Sequence, residues 1–239
     1  LVEWSGEDKA KLPLVGSAPL PARTDPMSEP NQILIREYLA DNQETLKILH
    51  EAATLPHTRY PVDLSQGFNA LTPWLNNVRK CARLLELEAL MHIEQDDPNQ
   101  ALESVRSGLA LAESLKSPIL IDYLVRIAAN ALQLQALERI LCRSALTQEQ
   151  LQGMAELIHK PQAAHSIKYA LIGERCIGLS VFRMPLRALS GMAGYDNPMP
   201  LLVLGPMRAL GLLKRQSLGH LDRMQHYHQA TYLPSPYRQ

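Results

Sequence analysis

The sequence has few aromatic residues, and this shortage bears first on the fold class. Phe, Trp and Tyr make up 5% of its 239 residues, while hydrophobic residues as a whole reach 46%. Leucine and alanine supply most of the apolar mass instead, and these residues favour helices over strands. A chain of this length can bury a substantial core. We therefore expect an all-α protein in which helix packs on helix.

The chain also lacks an excess of charge of either sign. Lys plus Arg number 24, and Asp plus Glu number 24. A nucleic-acid-binding protein normally carries a basic surplus that neutralises phosphates. We therefore expect no nucleic-acid partner.

The sequence has few cysteines, and no two of them are close enough in sequence to form a Cys-x-x-Cys pair. Cys81, Cys142 and Cys176 stand singly, with no Cys-x-x-Cys pair. This pattern favours neither a zinc site nor a redox motif, and an odd count argues against a disulfide framework.

No stretch is long and apolar enough to predict a membrane span. The most apolar one, residues 199–213, is short and contains Pro200, Pro206 and Arg208. The sequence begins with Leu1, and this leaves open a signal peptide or membrane tether upstream.

Recognisable catalytic motifs are missing as well. The sequence contains no GxxxxGK[ST], GxGxxG, HExxH or GxSxG pattern. We therefore predict that the protein is not an enzyme and that it has no catalytic residue, bound cofactor or metal site.

The sequence does contain a series of helix-start signals. Residues 1–30 are rich in proline and predict an extended tail or tether, in which Trp4 and residues 12–15 could dock onto the body. Residues 31–233 predict a single α-helical domain, followed by a C-terminal tail at 234–239. Capped or proline-initiated starts occur at Thr72-Pro73, Asp97-Pro98, Ser117-Pro118, and Thr147 with Gln150.

Short turns between these starts force neighbouring helices to run antiparallel. We predict helix hairpins that form a bundle or a short solenoid. The helix after Ser117-Pro118 has the widest apolar surface and is expected to be the central core element. Its two apolar rows are Leu120, Leu124, Ile127, Ala131 and Leu134, and Ile121, Val125, Ala128 and Leu132.

An apolar loop near the C-terminus is a candidate interface. A segment this apolar either packs on its own core or contacts another molecule, because large exposed apolar patches are disfavoured in monomers. The candidate interface residues are Met199, Leu201, Leu202, Val203 and Leu204.

Two groups of polar residues are candidate functional sites. Asp222 and His226 would lie one helical turn apart, near His220 and His228. No third metal ligand accompanies them, so we favour the interpretation that these are ordinary exposed side chains. Glu174 and Arg175, with Asp122 and Arg126, could form a buried polar network. A structural ion pair is favoured there over a catalytic role, because no nucleophile motif is present.

Residues 79–112 resemble one tetratricopeptide repeat. The resemblance consists of small Ala89, an acidic turn Asp96-Asp97-Pro98-Asn99-Gln100-Ala101-Leu102, and small Gly108. It implies two closely crossing antiparallel helices that take part in protein–protein interaction. No second copy follows at a fixed period.

Over most of residues 30–185 the chain also resembles uncharacterised helical proteins of Planctomycetes-type bacteria. The segments are Arg59-Tyr60-Pro61-Val62-Asp63-Leu64-Ser65-Gln66-Gly67, Arg83-Leu84-Leu85-Glu86-Leu87-Glu88-Ala89, Leu124-Val125-Arg126-Ile127-Ala128 and Gly173-Glu174-Arg175. The resemblance implies an exported, organellar or membrane-tethered location and no known activity. A helical accessory subunit associated with nitrite oxidoreductase tubules of anammox bacteria is of similar kind.

The resulting hypothesis is a helical interaction or scaffold protein, such as an accessory subunit that organises a larger complex. It would bind a protein partner or self-associate through a hairpin groove or the 195–207 loop. The alternatives are a hydrolase or lyase with a site near Glu174 and Arg175, and a helical sensor that binds a small ligand.

Overall fold

This computed structural model describes residues 1–56, 58, 60–63, 70, 72–159, 167–181, 219 and 222–223. Its secondary structure over these ranges is helical, so the expected all-α class is confirmed. None of the helices in the described ranges combines the length and apolarity needed to cross a membrane. The helices are α1 Gly6–Lys11, α2 Glu29–Asp41, α3 Gln43–Ala53, α4 Trp74–Glu94, α5 Pro98–Glu113, α6 Leu120–Arg143, α7 Gln148–His159 and α8 Ile167–Val181.

The described residues fall into two compact units. The first unit contains α1–α5, α7 and α6 from Ile121 onward. The second contains α8 together with residues 118–120. Within it, Gly173 of α8 lies directly against the Pro118 carbonyl, because a Cβ at this glycine would overlap the carbonyl oxygen.

Two of the predicted helix starts have the expected capping bonds. At α7 the Thr147 N–H donates to Gln150 Oε1 at 2.8 Å, and the Gln150 N–H donates back to Thr147 Oγ1 at 3.3 Å. At α5 the Gln100 N–H donates to Asp97 Oδ1 at 3.1 Å. Each bond satisfies a backbone group that the first helical turn leaves unpaired, so both starts are confirmed.

Helix α4 is the centre of the first unit's core. Leu84, Leu85 and Leu87 are fully buried, although they point to different sides of the helix. A helix buried on most of its surface needs neighbours around it, and α2, α3 and α5 supply them. The short link 95–97 makes α4 and α5 an antiparallel hairpin.

The proline-rich N-terminal segment packs on this core, as expected for Trp4. Its indole N–H donates to Asp41 Oδ2 at 2.8 Å, and its ring meets the Tyr38 ring edge-on at a centroid distance of 5.3 Å. Leu12 is fully buried in the same cluster as α2 and α4 side chains. Val2 exchanges two hydrogen bonds with the Asn42 side chain. Residues 1–27 therefore lie along the body of the first unit.

Candidate interaction surface

Helix α6 exposes a stripe that is apolar except at Glu138. We call it the outer seam, and it comprises Leu124, Ile127, Ala131, Leu134, Glu138 and Leu141. These positions alternate steps of three and four residues, which is the seven-residue repeat of helices that pair along their length. The four large aliphatic side chains are 39–50% exposed. The prediction that this row lies in the core is therefore wrong.

The opposite face of α6 is buried, and three of the eight buried residues of this helix are polar. This inner seam comprises Asp122, Val125, Arg126, Ala129, Gln133, Ala136, Leu137 and Ile140. Asp122 and Gln133 are fully buried, and Arg126 is 3% exposed. A helix in a globular protein normally directs its apolar stripe to the core. In α6 three polar residues share the buried face with five apolar ones, while four large aliphatic side chains lie on the exposed face.

Gln133 holds the middle of the inner seam. Its side-chain amide donates to the Ala82 carbonyl of α4 at 2.9 Å. Gly108 of α5 makes room for the amide, because a Cβ there would lie 2.6 Å from Gln133 Nε2 and closer still to its other amide atoms. The glutamine thus ties α6 to α4 at the point where α5 passes, and this bond stabilises the buried polar position.

Asp122 and Arg126 hold the first half of the inner seam. The Ser117 hydroxyl donates to Asp122 Oδ2. Burial raises the pKa of the Asp122 carboxyl, and the Ser117 hydrogen bond opposes that rise. The Arg126 guanidinium lies 5.2 Å from the centre of the Tyr123 ring and 4.0 Å from Glu113 Oε2. Turning α6 over would separate Arg126 from Glu113 and Gln133 from Ala82, which favours the observed orientation of the helix.

A second polar cluster joins α3, α4 and α5. His50 Nε2 lies 2.8 Å from Glu88 Oε2, and its Nδ1 lies 2.8 Å from Ser107 Oγ. The Ser104 hydroxyl donates to the same Glu88 oxygen at 2.7 Å. Hydrogen bonding to Glu88 raises the pKa of His50, and partial burial opposes it.

This cluster has the residue types of a serine–histidine–acid relay, but its geometry is structural. Ser107 and Ser104 are each 1% exposed, so neither hydroxyl is presented to a substrate. A nucleophile must reach a reacting atom about 3 Å away. The cluster instead satisfies polar groups between three packed helices.

Glu86 of α4 is a buried acid without a matching ion pair. It is 1% exposed, and among the described residues its Oε2 has no hydrogen-bond partner. Burial raises its pKa to about 8, although Arg139 and Arg83 act in the opposite direction. The side chain is therefore mostly protonated near neutral pH.

A small cavity lies beneath the N-terminal segment. Its volume is about 60 Å³, and it is lined by both apolar and charged side chains, among them Trp4, Tyr38, Lys80 and Arg83. Sites for small metabolites are usually about 300 Å³ or larger. The cavity holds a few waters at most and does not support a metabolite site.

The candidate residues from the sequence are placed as follows. Met199, Leu201, Leu202, Val203 and Leu204 lie outside the described residues, as do His220, His226 and His228. Asp222 is exposed, and the described residues contain no cluster of three metal ligands. Glu174 and Arg175 are half-buried on α8 in the second unit, whereas Asp122 and Arg126 are buried in the first.

Comparisons with protein-family models, with curated proteins and with solved structures found no match for this chain. The resemblances to the tetratricopeptide repeat and to the Planctomycetes-type proteins therefore stay predictions. The exposure of the apolar row of α6 was missed from the sequence, although burial of Asp122 and Arg126 was expected. Its signal was present, because Asp122, Arg126 and Gln133 share one face at helical spacing.

Proposed function

We propose that this protein is a helical interaction protein and that the outer seam of α6 is the surface through which it binds. The occupant is an apolar helix of comparable length presented by a protein. The α4–α5 hairpin, with its tetratricopeptide-like turn, serves as the rigid support that keeps α6 in place. An accessory or scaffold role in a larger assembly follows from such a surface.

The exposed aliphatic stripe of α6, which lies opposite a buried face with three polar residues, carries this proposal. Scattered exposed aliphatic residues are normal on a protein surface and need no explanation. Here Leu124, Ile127 and Leu141 are about half exposed and share one stripe with Leu134, while Asp122 and Gln133 take up buried space. Contiguous apolar stripes of this kind mark interaction sites.

Site-specific photo-cross-linking in the source cells tests the proposal. Ile127 is replaced by benzoylphenylalanine, and Ile48 on α3, which is 55% exposed, carries the same probe as the matched control. We expect a protein adduct from position 127 and none from position 48. The adduct should disappear when Leu124 and Leu134 are both replaced by glutamine.

Two outcomes would overturn the proposal. One is the absence of any adduct from position 127 that is sensitive to the glutamine substitutions. The other is an adduct confined to the same chain, for example with residues 182–239, because the stripe would then be covered internally. The identity of the captured helix, whether a second copy or another protein, is read by mass spectrometry.

A further inference from the structure

We propose that the occupant of the outer seam is the outer seam of a second copy of this chain, paired in the antiparallel direction. This inference rests on the proposed function and specifies its partner. Symmetric pairs of identical subunits are the commonest oligomers of proteins, and their interfaces are self-complementary. The geometry and the charge of α6 both meet that requirement.

The spacing of the outer seam calls for another helix. Leu124 and Leu141 are separated by about 26 Å along the axis at 1.5 Å per residue. Between them the stripe keeps its alternating steps of three and four residues without a break. A partner that fills it must present apolar side chains at the same spacing over the same length. A second α6 has that spacing and length.

The low charge of this surface argues against nucleic acid, acidic peptides and anionic lipid as partners. From Ile121 to Leu137 the charged residues of α6 are Asp122 and Arg126, and both are buried. The side chains that flank the stripe, Tyr123, Asn130 and Gln135, are uncharged. Nucleic acid or an acidic peptide would lose hydration there without gaining an ion pair. A surface that binds anionic lipid would normally carry Lys or Arg beside its apolar face.

The one charge in the stripe selects the antiparallel direction. Glu138 is about half exposed and pairs with Arg23 of its own chain at 2.8 Å. In a parallel pair the two Glu138 carboxylates would meet in one layer and repel each other. In an antiparallel pair centred between Ala131 and Leu134, they are separated by about 16 Å along the axis. In this register Ala131 faces Leu134, Leu124 faces Leu141, and each Glu138 lies opposite Ile127 of the second copy, with its carboxylate still paired with Arg23 of its own chain.

Sedimentation velocity of the purified full-length chain tests the pairing. We expect a concentration-dependent dimer for the wild type and for the control variant Ile48→Arg. Leu134→Arg places a charge in the central layer, so we expect its dimer dissociation constant to rise at least about tenfold. Circular dichroism should show the same helix content for both variants. A wild-type monomer at all concentrations, or equal dimerisation of Leu134→Arg, would overturn the inference.

Cysteine cross-linking tests the direction. In a background where Cys81, Cys142 and Cys176 are serine, Ala131→Cys and Leu134→Cys chains are mixed and oxidised with copper phenanthroline. Antiparallel pairing predicts mainly the mixed disulfide between positions 131 and 134. Parallel pairing would instead give mainly the homodimer joined at position 131, and this result would contradict the proposed arrangement.

The two proposals fail in different ways. If the purified chain stays monomeric while position 127 still captures a different protein in cells, the pairing is wrong and the interaction surface stands. If position 127 captures nothing in cells, both proposals are wrong.

Discussion

Gln133 illustrates how one buried polar side chain constrains a whole helix. Its amide has a bond to the Ala82 carbonyl on one side and the bare backbone of Gly108 on the other. The side chain cannot move without leaving its own buried amide N–H group unpaired, and an unpaired buried group costs about 1–3 kcal/mol. An apolar contact tolerates small rotations of a helix about its axis more readily than such a hydrogen bond does.

Gly108→Ala should therefore destabilise the protein by about 1–3 kcal/mol, because the added methyl group overlaps the Gln133 amide. Gly153 on α7 is the matched control, since a Cβ there meets nothing within 4 Å. Gly153→Ala should stabilise the helix by roughly 0.5–1 kcal/mol. Urea unfolding measures both changes. Equal effects of the two substitutions would show that the Gly108–Gln133 contact is not tight.

Glu86 makes stability fall as the pH rises. Its folded-state pKa of about 8 lies above the ordinary carboxyl value of 4.5, so the folded state holds a proton that the unfolded state releases. The stabilising contribution is complete below about pH 4.5 and is lost as the pH rises through about 8. Glu86→Gln removes this term. The free energy of unfolding of the wild type should fall relative to the variant by up to about 1.4 kcal/mol per pH unit in that window.

Urea unfolding at a series of pH values tests this prediction. Glu37→Gln, which removes one exposed carboxyl of α2, is the matched control for the loss of a single negative charge. Parallel curves for wild type and Glu86→Gln would contradict the buried, protonated state of Glu86.

His50 has a pH dependence of the same sign for a different reason. Its folded-state pKa is raised above 6.5, mainly by the hydrogen bond to Glu88 and also by the charge of Glu103. The stabilising contribution is therefore full below about pH 6.5 and is lost as the pH rises through the raised pKa. The stability advantage of the wild type over His50→Gln should shrink as the pH rises from below about 6.5 through the raised pKa of His50. Thermal unfolding of both proteins measures it, and an advantage that grows with pH would exclude the pairing with Glu88.

At the scale of elements, α6 is distinguished from the neighbouring helices by the face that it buries. Adjacent residues near its C-terminal end provide a direct comparison. Ile140 is fully buried on the inner seam, and Leu141 on the outer seam is 49% exposed. The two side chains have the same number of carbon atoms, so their removal differs mainly in the space left behind.

Ile140→Ala should destabilise the protein by about 2–4 kcal/mol, because it leaves a cavity between packed helices. Leu141→Ala should cost less than about 1 kcal/mol when the protein is dilute. Urea unfolding at low concentration gives both values. A larger cost for Leu141→Ala would mean that α6 packs through the other face.

The helices could be predicted from the sequence because their start signals are local. Asp97 and the Thr147–Gln150 pair occupy the capping positions that their side-chain chemistry indicates. The burial of α6 could not be predicted in the same way. It depends on partners distant in the sequence, such as Ala82 and Gly108 for Gln133, and periodicity does not report these. Apolarity alone assigned the wrong face to the core.

At the scale of the whole molecule, the candidate surface was identified because the sequence pattern of α6 and its packing in the structure disagree. The apolar row of α6 was visible in the sequence, but the interface was expected at Met199 and Leu201–Leu204, outside the described residues. Once the inner seam is occupied by Asp122 and Gln133, the apolar row has no place in the core of the first unit. Local inconsistencies of this kind are typical of functional surfaces.

The orientation of α6 is tested most directly by cysteine reactivity on its two faces. In the background without native cysteines, Ile127→Cys and Ala129→Cys are each treated with a maleimide. We expect position 127 to react rapidly in dilute protein and to become protected at high concentration, while position 129 stays unreactive throughout. Rapid reaction at position 129 with protection of position 127 even in dilute protein would contradict the account.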